Sequence, residues 1–216
     1  MVDVGPAVTV KTPIVIAIVG AESTGKSELA QALARHLQEQ LGQPSIAVDE
    51  WLRTWCEREG RTPRPEEQWA IAQEQSRRIE AAAREHAVVV ADTTALMTAV
   101  YSEWLFQDLS LRAAAQALHQ RYGLTLVTAN DLPWQADGLQ RDGPQVREPV
   151  RRLILQMLQQ AGVAYAEVTG SGSERLACAL RLVTAHLGSA GSAAGTVAAA
   201  AATAPTLKPE AGPNPA

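Results

Sequence analysis

The sequence predicts an α/β fold in which a parallel sheet is covered by helices on both faces. Three observations carry that expectation. Short β-branched runs alternate with helix-period segments along most of the chain. The strand runs are continuously apolar rather than alternating, as in strands buried on both sides. The length of 216 residues, with 46% hydrophobic and 19% charged content, suits about one globular domain.

Taken in order, residues 1–12 carry no clear period and read as a leader ahead of a core at 13–188. Ile14–Val19 (IVIAIV) is a buried strand. Helix signals follow from Gly25 to Leu41, where Leu29, Leu33 and Leu37 fall four apart and Gly42 supplies a stop. Ser45–Val48 is a second strand, and Trp51 and Trp55 share a helix face just after it. Arg64–His86 reads as one long helix opened by prolines, and Val88–Ala91 as a strand running into Asp92. Helices are expected over 95–106 and 111–121, and a strand over Leu124–Thr128. A polar stretch broken by Gly and Pro intervenes before helix 147–161, strand 163–168 and helix 173–187. From Ser189 the chain is Ala, Gly, Pro, Ser and Thr with no large side chain to pack, and 189–216 is expected to be a disordered tail.

Composition removes several classes. The net charge of −4, with Lys and Arg scattered, lacks the basic footprint of a nucleic-acid binder. Ile14–Val19 is far short of the ~20 apolar residues that span a bilayer. No secretory signal pattern opens the chain. Cys56 and Cys178 show no metal-ligand spacing and fit a reducing compartment. These features predict a cytoplasmic protein without nucleic-acid or membrane partners.

The segment Gly20-Ala21-Glu22-Ser23-Thr24-Gly25-Lys26-Ser27 fits G-x-x-x-x-G-K-[ST] between a buried strand and a helix, the context this phosphate-binding motif requires. It predicts a three-layer P-loop NTPase fold. Main-chain N–H groups from Glu22 to Ser27 can converge on phosphate oxygens at the helix N-terminus. Gly20 and Gly25 let the backbone approach the anion. Lys26 neutralises β- and γ-phosphate charge, and the Ser27 hydroxyl can ligate Mg²⁺. Asp92, at the C-terminal end of a parallel strand, faces the nucleotide crevice and can hold the metal, or instead cap the following helix.

The chemistry beyond ATP binding narrows by exclusion. The guanine-reading N-K-x-D pattern is missing, which disfavours a GTP switch. Asp92 is followed by Thr93 rather than Glu, and the ordered chain is short for an AAA+ motor. A small-molecule kinase needs a base, an acceptor pocket and a cationic lid. Asp49 or Glu50 can take the acceptor proton, or the two can simply open a helix. Trp51 and Trp55 can stack on a base or pack in the core. Arginines of 130–152, among them Arg141, Arg147, Arg151 and Arg152, can fold over the transferring phosphoryl group or stay solvated. The histidines, His119 among them, read as surface or helix-end residues.

Five segments resemble the NadR-type ribosylnicotinamide kinase domain, a P-loop family grouped with AAA-type ATPases: GAESTGKSELAQALA, Glu50-Trp51-Leu52-Arg53, VVVADTTALMTAVYSE, NDLPWQADGLQRDG and VAYAEVTGSGSERL. Order and spacing match over about residues 13–187. The resemblance implies a nucleoside-kinase-like fold with a five-stranded parallel sheet. It also implies ATP and Mg²⁺, and an acceptor site near the ends of strands two and three. Glu50 and Arg53 match the family's Glu-Tyr-x-Arg segment, with Trp51 in place of Tyr. Asp92 matches the first acid of Asp-Thr-Asp, with Thr94 in place of the second. Trp134, Asp137 and Gly138 match the lid motif, Gln140 stands where an arginine is usual, and Arg141 comes one later. Trp51, Arg53, Asp92, Trp134 and Asp137 are thereby implied at the acceptor.

The sequence thus predicts an ATP- and Mg²⁺-dependent kinase acting on a nucleoside-like acceptor. Nicotinamide riboside is the leading candidate, which would place the chain in NAD biosynthesis. Thr94 leaves open a regulatory ATP-binding module or slow ATPase acting through a protein partner.

Overall fold

Five strands, all parallel, form the sheet: β1 (Ile14–Val19), β2 (Ser45–Val48), β3 (Val88–Asp92), β4 (Leu124–Thr128) and β5 (Ala166–Val168), in the order β2-β3-β1-β4-β5. This is the arrangement in a computed structural model that describes residues 12–136 and 143–201. The expected leader, except its last residue, and the end of the expected tail lie outside those residues. The helices are α1 (Lys26–Leu41), α2 (Trp51–Glu59), α3 (Gln68–Glu85), α4 (Ala95–Phe106), α5 (Arg112–His119), α6 (Arg147–Gln160) and α7 (Gly172–Ala201). The chain divides into two compact units, Met1–Leu180 with the whole sheet and Arg181–Ala216, whose described residues are helical through Ala201.

Registration explains the layering. Val15, Ala17 and Val19 of β1 pair across to Val89 and Ala91 of β3 and to Thr125 and Val127 of β4, so these residues share one face. On it Val89, Ala91 and Val48 cluster with Ile79 of α3, while Val19 and Val127 join Leu96, Val100, Val150 and Ile154 from α4 and α6. The alternate residues Ile16, Ile18, Val88, Val90 and Leu126 are equally buried, and so are Leu29, Leu33 and Leu37 of α1. Helices therefore cover both faces, and the strands' continuous apolar runs follow from that.

Several boundaries differ from the sequence expectation, each for a local reason. Arg64–His86 is not one helix: Pro65–Glu67 forms a 3-10 turn, and α3 starts at Gln68. Glu67 ties that turn by accepting from Arg64 N at 2.8 Å and from both ends of the Arg61 guanidinium at 2.7 Å. This fork holds the Glu67 carboxyl down at about 2. Residues 51–59 are helical, as the shared helix face of Trp51 and Trp55 implies, and Gly60 in the left-handed region at φ 67° closes that helix. The fifth strand is shorter than 163–168, because Val163 N is used on Leu158 O at 3.0 Å in closing α6. Helix α7 runs on to Ala201, thirteen residues into the segment expected as a tail. Alanine's helix propensity there outweighs the scattered glycines.

Candidate nucleotide site

The phosphate loop leaves β1 at Gly20 and enters α1 at Lys26. Ser23 (φ 55°) and Gly25 (φ 71°) take left-handed backbone conformations that curl the chain. Gly25 is the N-cap and offers no side chain to cap α1, so the leading N–H groups of the helix turn into the loop, where an anion is their natural partner. Lys26 donates from Nζ to Ala21 O at 2.8 Å, which lays its ammonium across the loop. Thr24 is fully buried; its hydroxyl donates to Ala21 O at 2.9 Å and lies 2.7 Å from Thr128 Oγ1 at the end of β4. Thr128 Oγ1 also reaches Val19 O at 3.4 Å, so either hydroxyl can serve as donor in that pair. Gly20 is required here: a Cβ would sit 1.9 Å from Thr128 Oγ1.

Asp92 ends β3 opposite Ile18 and is 2% exposed. Burial pushes its carboxyl up from the ordinary aspartate value. The Lys26 ammonium, a hydrogen bond from the Ser27 side chain and the Arg53 guanidinium pull it back down, and Asp49 pushes it up again. Its Oδ1 is buried and finds no hydrogen-bond partner among the described residues. The alternative role of capping α4 falls to Thr94, whose hydroxyl accepts from Leu96 N at 3.3 Å. Between them Thr93 sits at φ 66°, a strained conformation for a β-branched residue, with its N–H bonded to Ile18 O. An orphaned carboxylate oxygen beside a serine hydroxyl is a hard-oxygen donor set, the kind that holds Mg²⁺ jointly with substrate phosphates. Mg²⁺ fits these residues on that ground.

On the other side of Asp92, β2 delivers Asp49 and Glu50. Asp49 is exposed and accepts from Gln31 Nε2 of α1 at 2.6 Å, yet it and Arg53 both lie within electrostatic reach of Asp92. Glu50 is half-buried at the N-cap of α2. Trp51 and Trp55 carry arginines on their rings: Arg78 stands 3.9 Å and Arg58 5.8 Å over Trp51, and Arg61 stands 5.0 Å over Trp55. Arginine stacking, not a closed apolar core, is what these two half-buried rings meet.

The segment after β4 is tied to the loop. Ser23 Oγ accepts from Gln135 N at 2.8 Å and donates to Gln135 O at 3.2 Å. Neighbouring Trp134 is half-buried, its Nε1 without a partner among the described residues. Asp137, Gly138, Leu139, Gln140 and Arg141 lie outside the described residues. Arg147 is not a solvated lid arginine but the first residue of α6, 8% exposed, donating from Nη1 to Leu132 O at 2.8 Å. Burial lowers its pKa, Asp131 raises it, Arg175 lowers it and Glu22 raises it. Arg175 in turn pairs with Asp131 and donates to Gly170 O at 2.8 Å. Arg151 pairs with Glu167 at 2.9 Å, and Arg152 lines a groove beside Trp104 and Leu153.

Three site-supporting residues were not singled out as functional from the sequence. Thr128 locks the loop to β4, as above. His119 is the expected helix-end residue, closing α5, but it is buried rather than exposed: its Nδ1 lies 3.0 Å from Thr94 Oγ1 and its Nε2 3.0 Å from Thr125 Oγ1. Burial drives its pKa down to about 4. Gln75 is 3% exposed on the core stripe of α3 between Ile71 and Ile79. A polar residue at that spacing was the available signal for it; His119, four after buried Ala115, gave a similar one.

An AAA domain family model matches residues 15–175. A NadR protein in complex with NAD and AMP-PNP superposes with a TM-score of 0.66 at 18% identity, covering 82% of this chain and 50% of that one. A NadR protein in complex with NR gives 0.65 at 20% identity, covering 82% and 52%. Thymidylate kinase from Ehrlichia chaffeensis gives 0.55 at 12% identity, covering 81% and 99%. At these identities the likeness establishes the P-loop kinase-like fold. The chain spans about half the length of the NadR proteins it matches. No curated protein sequence matches it significantly.

Proposed function

This chain belongs to the AAA domain family, and from that premise we propose that it is an ATP-dependent small-molecule kinase acting in the cytoplasm. The acceptor is a hydroxyl of a nucleoside-like molecule, with nicotinamide riboside the first candidate and NAD biosynthesis the setting. The observation that carries the reading is the convergence at one sheet edge of the phosphate loop, the buried Asp92 carboxylate and the half-buried Glu50.

In this reading the loop amides and Lys26 hold the triphosphate, while Ser27 and Asp92 hold Mg²⁺. The cation, when bound, draws off charge from the β- and γ-phosphate oxygens. Glu50, or Asp49, accepts the proton of the acceptor hydroxyl as its oxygen bonds to the γ-phosphorus. The bond from that phosphorus to the β-phosphate oxygen breaks, and ADP leaves with the electron pair. Arg53 and Trp51 line the acceptor side. Arg147 ties the start of α6 to the segment after β4. Trp134 flanks the loop opening, and the expected lid roles of Asp137 and Arg141 fall outside the described residues.

The experiment is incubation with Mg·ATP and a panel of nucleosides including nicotinamide riboside, with products read by mass. Phosphorylated product that disappears in Lys26→Ala and Asp92→Asn supports the kinase. A second reading, a regulatory module or slow ATPase acting through a protein partner, is favoured by Thr94. Where the resembling family carries a second acid, this hydroxyl is committed to capping α4 and to His119. ADP release at one rate with every acceptor and with none is the outcome that favours it.

A further inference from the structure

Gln75 makes three main-chain contacts, and all of them fall on the two strand ends that deliver the site carboxylates. Its Oε1 accepts from Trp51 N at 2.7 Å, and its Nε2 donates toward Asp49 O at 3.4 Å and Asp92 O at 3.5 Å. One buried amide thus holds the backbone immediately before Glu50, immediately after it, and at Asp92. Its two donors and its acceptor are all used, as a buried amide on an apolar stripe requires.

The cap geometry of α2 shows what this achieves. Glu50 occupies the N-cap with extended backbone (φ −63°, ψ 110°), but its side chain makes no cap hydrogen bond. A capping residue ordinarily turns its own side chain onto the first amides of its helix. Here the leading amide, Trp51 N, is received by Gln75 from a different helix. Glu50 is thereby flanked by main chain held from α3. The peptide units that carry it are fastened to the same amide as the main chain of Asp92.

We propose that Gln75 is the positioning residue that fixes the acceptor-side carboxylate Glu50 relative to Asp92, making the ends of β2 and β3 one rigid unit. The proposal deepens the kinase reading and rests on it. Gln75 touches no reacting atom; it acts by keeping the base in line with the hydroxyl it serves, and loss of such alignment costs ~10–100-fold in rate.

The test compares wild type with Gln75→Met, which removes every polar contact at similar size, and Gln75→Glu, which keeps an acceptor for Trp51 N but loses both donors. Calorimetry with Mg·ATP reads nucleotide binding, steady-state kinetics use whichever panel nucleoside the wild type phosphorylates, and hydrogen exchange reads the Trp51 amide. Mg·ATP affinity is expected within about twofold of wild type, with kcat for transfer down ~10–100-fold and acceptor KM little changed. ADP release without acceptor stays at the wild-type rate. Exchange at Trp51 quickens in Gln75→Met and less in Gln75→Glu. Unchanged kcat or unchanged Trp51 exchange in the two variants overturns the proposal alone. So does a loss of transfer that only tracks lost ATP affinity. A wild type that phosphorylates nothing in the panel overturns the kinase reading instead, and the proposed service to the base with it.

Discussion

At Asp92 a carboxylate sits 2% exposed beside Lys26 and the Ser27 hydroxyl, and burial outweighs these partners, raising its pKa above the unfolded value. A raised acid stabilises the fold fully below its ordinary unfolded pKa, and that contribution is lost as pH rises through the raised folded one. At neutral pH the buried Asp92 carboxyl therefore costs stability. Asp92→Asn is expected to melt higher than wild type near pH 7 in the absence of Mg·ATP, while phosphoryl transfer falls ~100-fold or more. Thermal melts over pH together with the transfer assay check both halves. Gly20 is the second residue with a sharp expectation. A Cβ there meets Thr128 Oγ1 at 1.9 Å, inside a packed junction, so Gly20→Ala should lose ~1–3 kcal/mol of stability along with ATP affinity. In a Thr128→Ala background the same change should cost clearly less; equal cost in the two backgrounds, measured by denaturant unfolding, contradicts the contact.

Among the elements, β4 ties the site together through two hydroxyls on opposite faces. Thr128 reaches Thr24 in the phosphate loop, and Thr125 reaches His119 of α5, which holds the α4 cap residue Thr94 two positions after Asp92. His119 titrates at about 4 in the fold against an ordinary 6.5. A depressed histidine contributes stability that is full above its unfolded pKa and is lost as pH falls through the folded one. The loss between pH 6.5 and 4 amounts to about 3 kcal/mol from this residue. His119→Asn should flatten the stability profile in that window, and an unchanged slope contradicts the assignment. The strands and the loop-bearing helix were legible in the sequence because each has a strong local signal: a β-branched run, leucines four apart, a glycine stop. The proline-led turn before α3 and the shortened β5 were not, because a glutamate fork on Arg61 and a backbone bond from Val163 decided them. Likewise the motif located Gly20, Lys26 and Ser27, whereas Gln75 and His119 show in sequence only as polar residues on apolar helix stripes, and Thr128 becomes visible only when β4 meets the loop.

Over the whole molecule, the order β2-β3-β1-β4-β5 gathers the C-terminal ends of four strands at one edge, bringing Glu50, Asp92, the phosphate loop and Thr128 together. That convergence is a property of topology; the sequence supplies only residues in series. Among the described residues, no helix is long and apolar enough to cross a membrane, and Cys56 and Cys178 are not joined in a disulfide. The arginines expected on one mobile lid are divided instead. Arg147 bonds Leu132 O, Arg151 pairs with Glu167, and Arg152 lines the groove by Trp104. A polar, glycine-broken stretch looks the same in sequence whether its arginines face solvent or bond to neighbouring segments, so that division could not be read ahead. The account depends most on nucleotide capture at the β1–α1 bend, and the most direct measurement is a calorimetric titration of wild type and Lys26→Ala with ATP in Mg²⁺. Saturable 1:1 binding by wild type that is weakened at least ~10-fold by Lys26→Ala is the predicted result; a folded wild-type protein that takes up no ATP would contradict it.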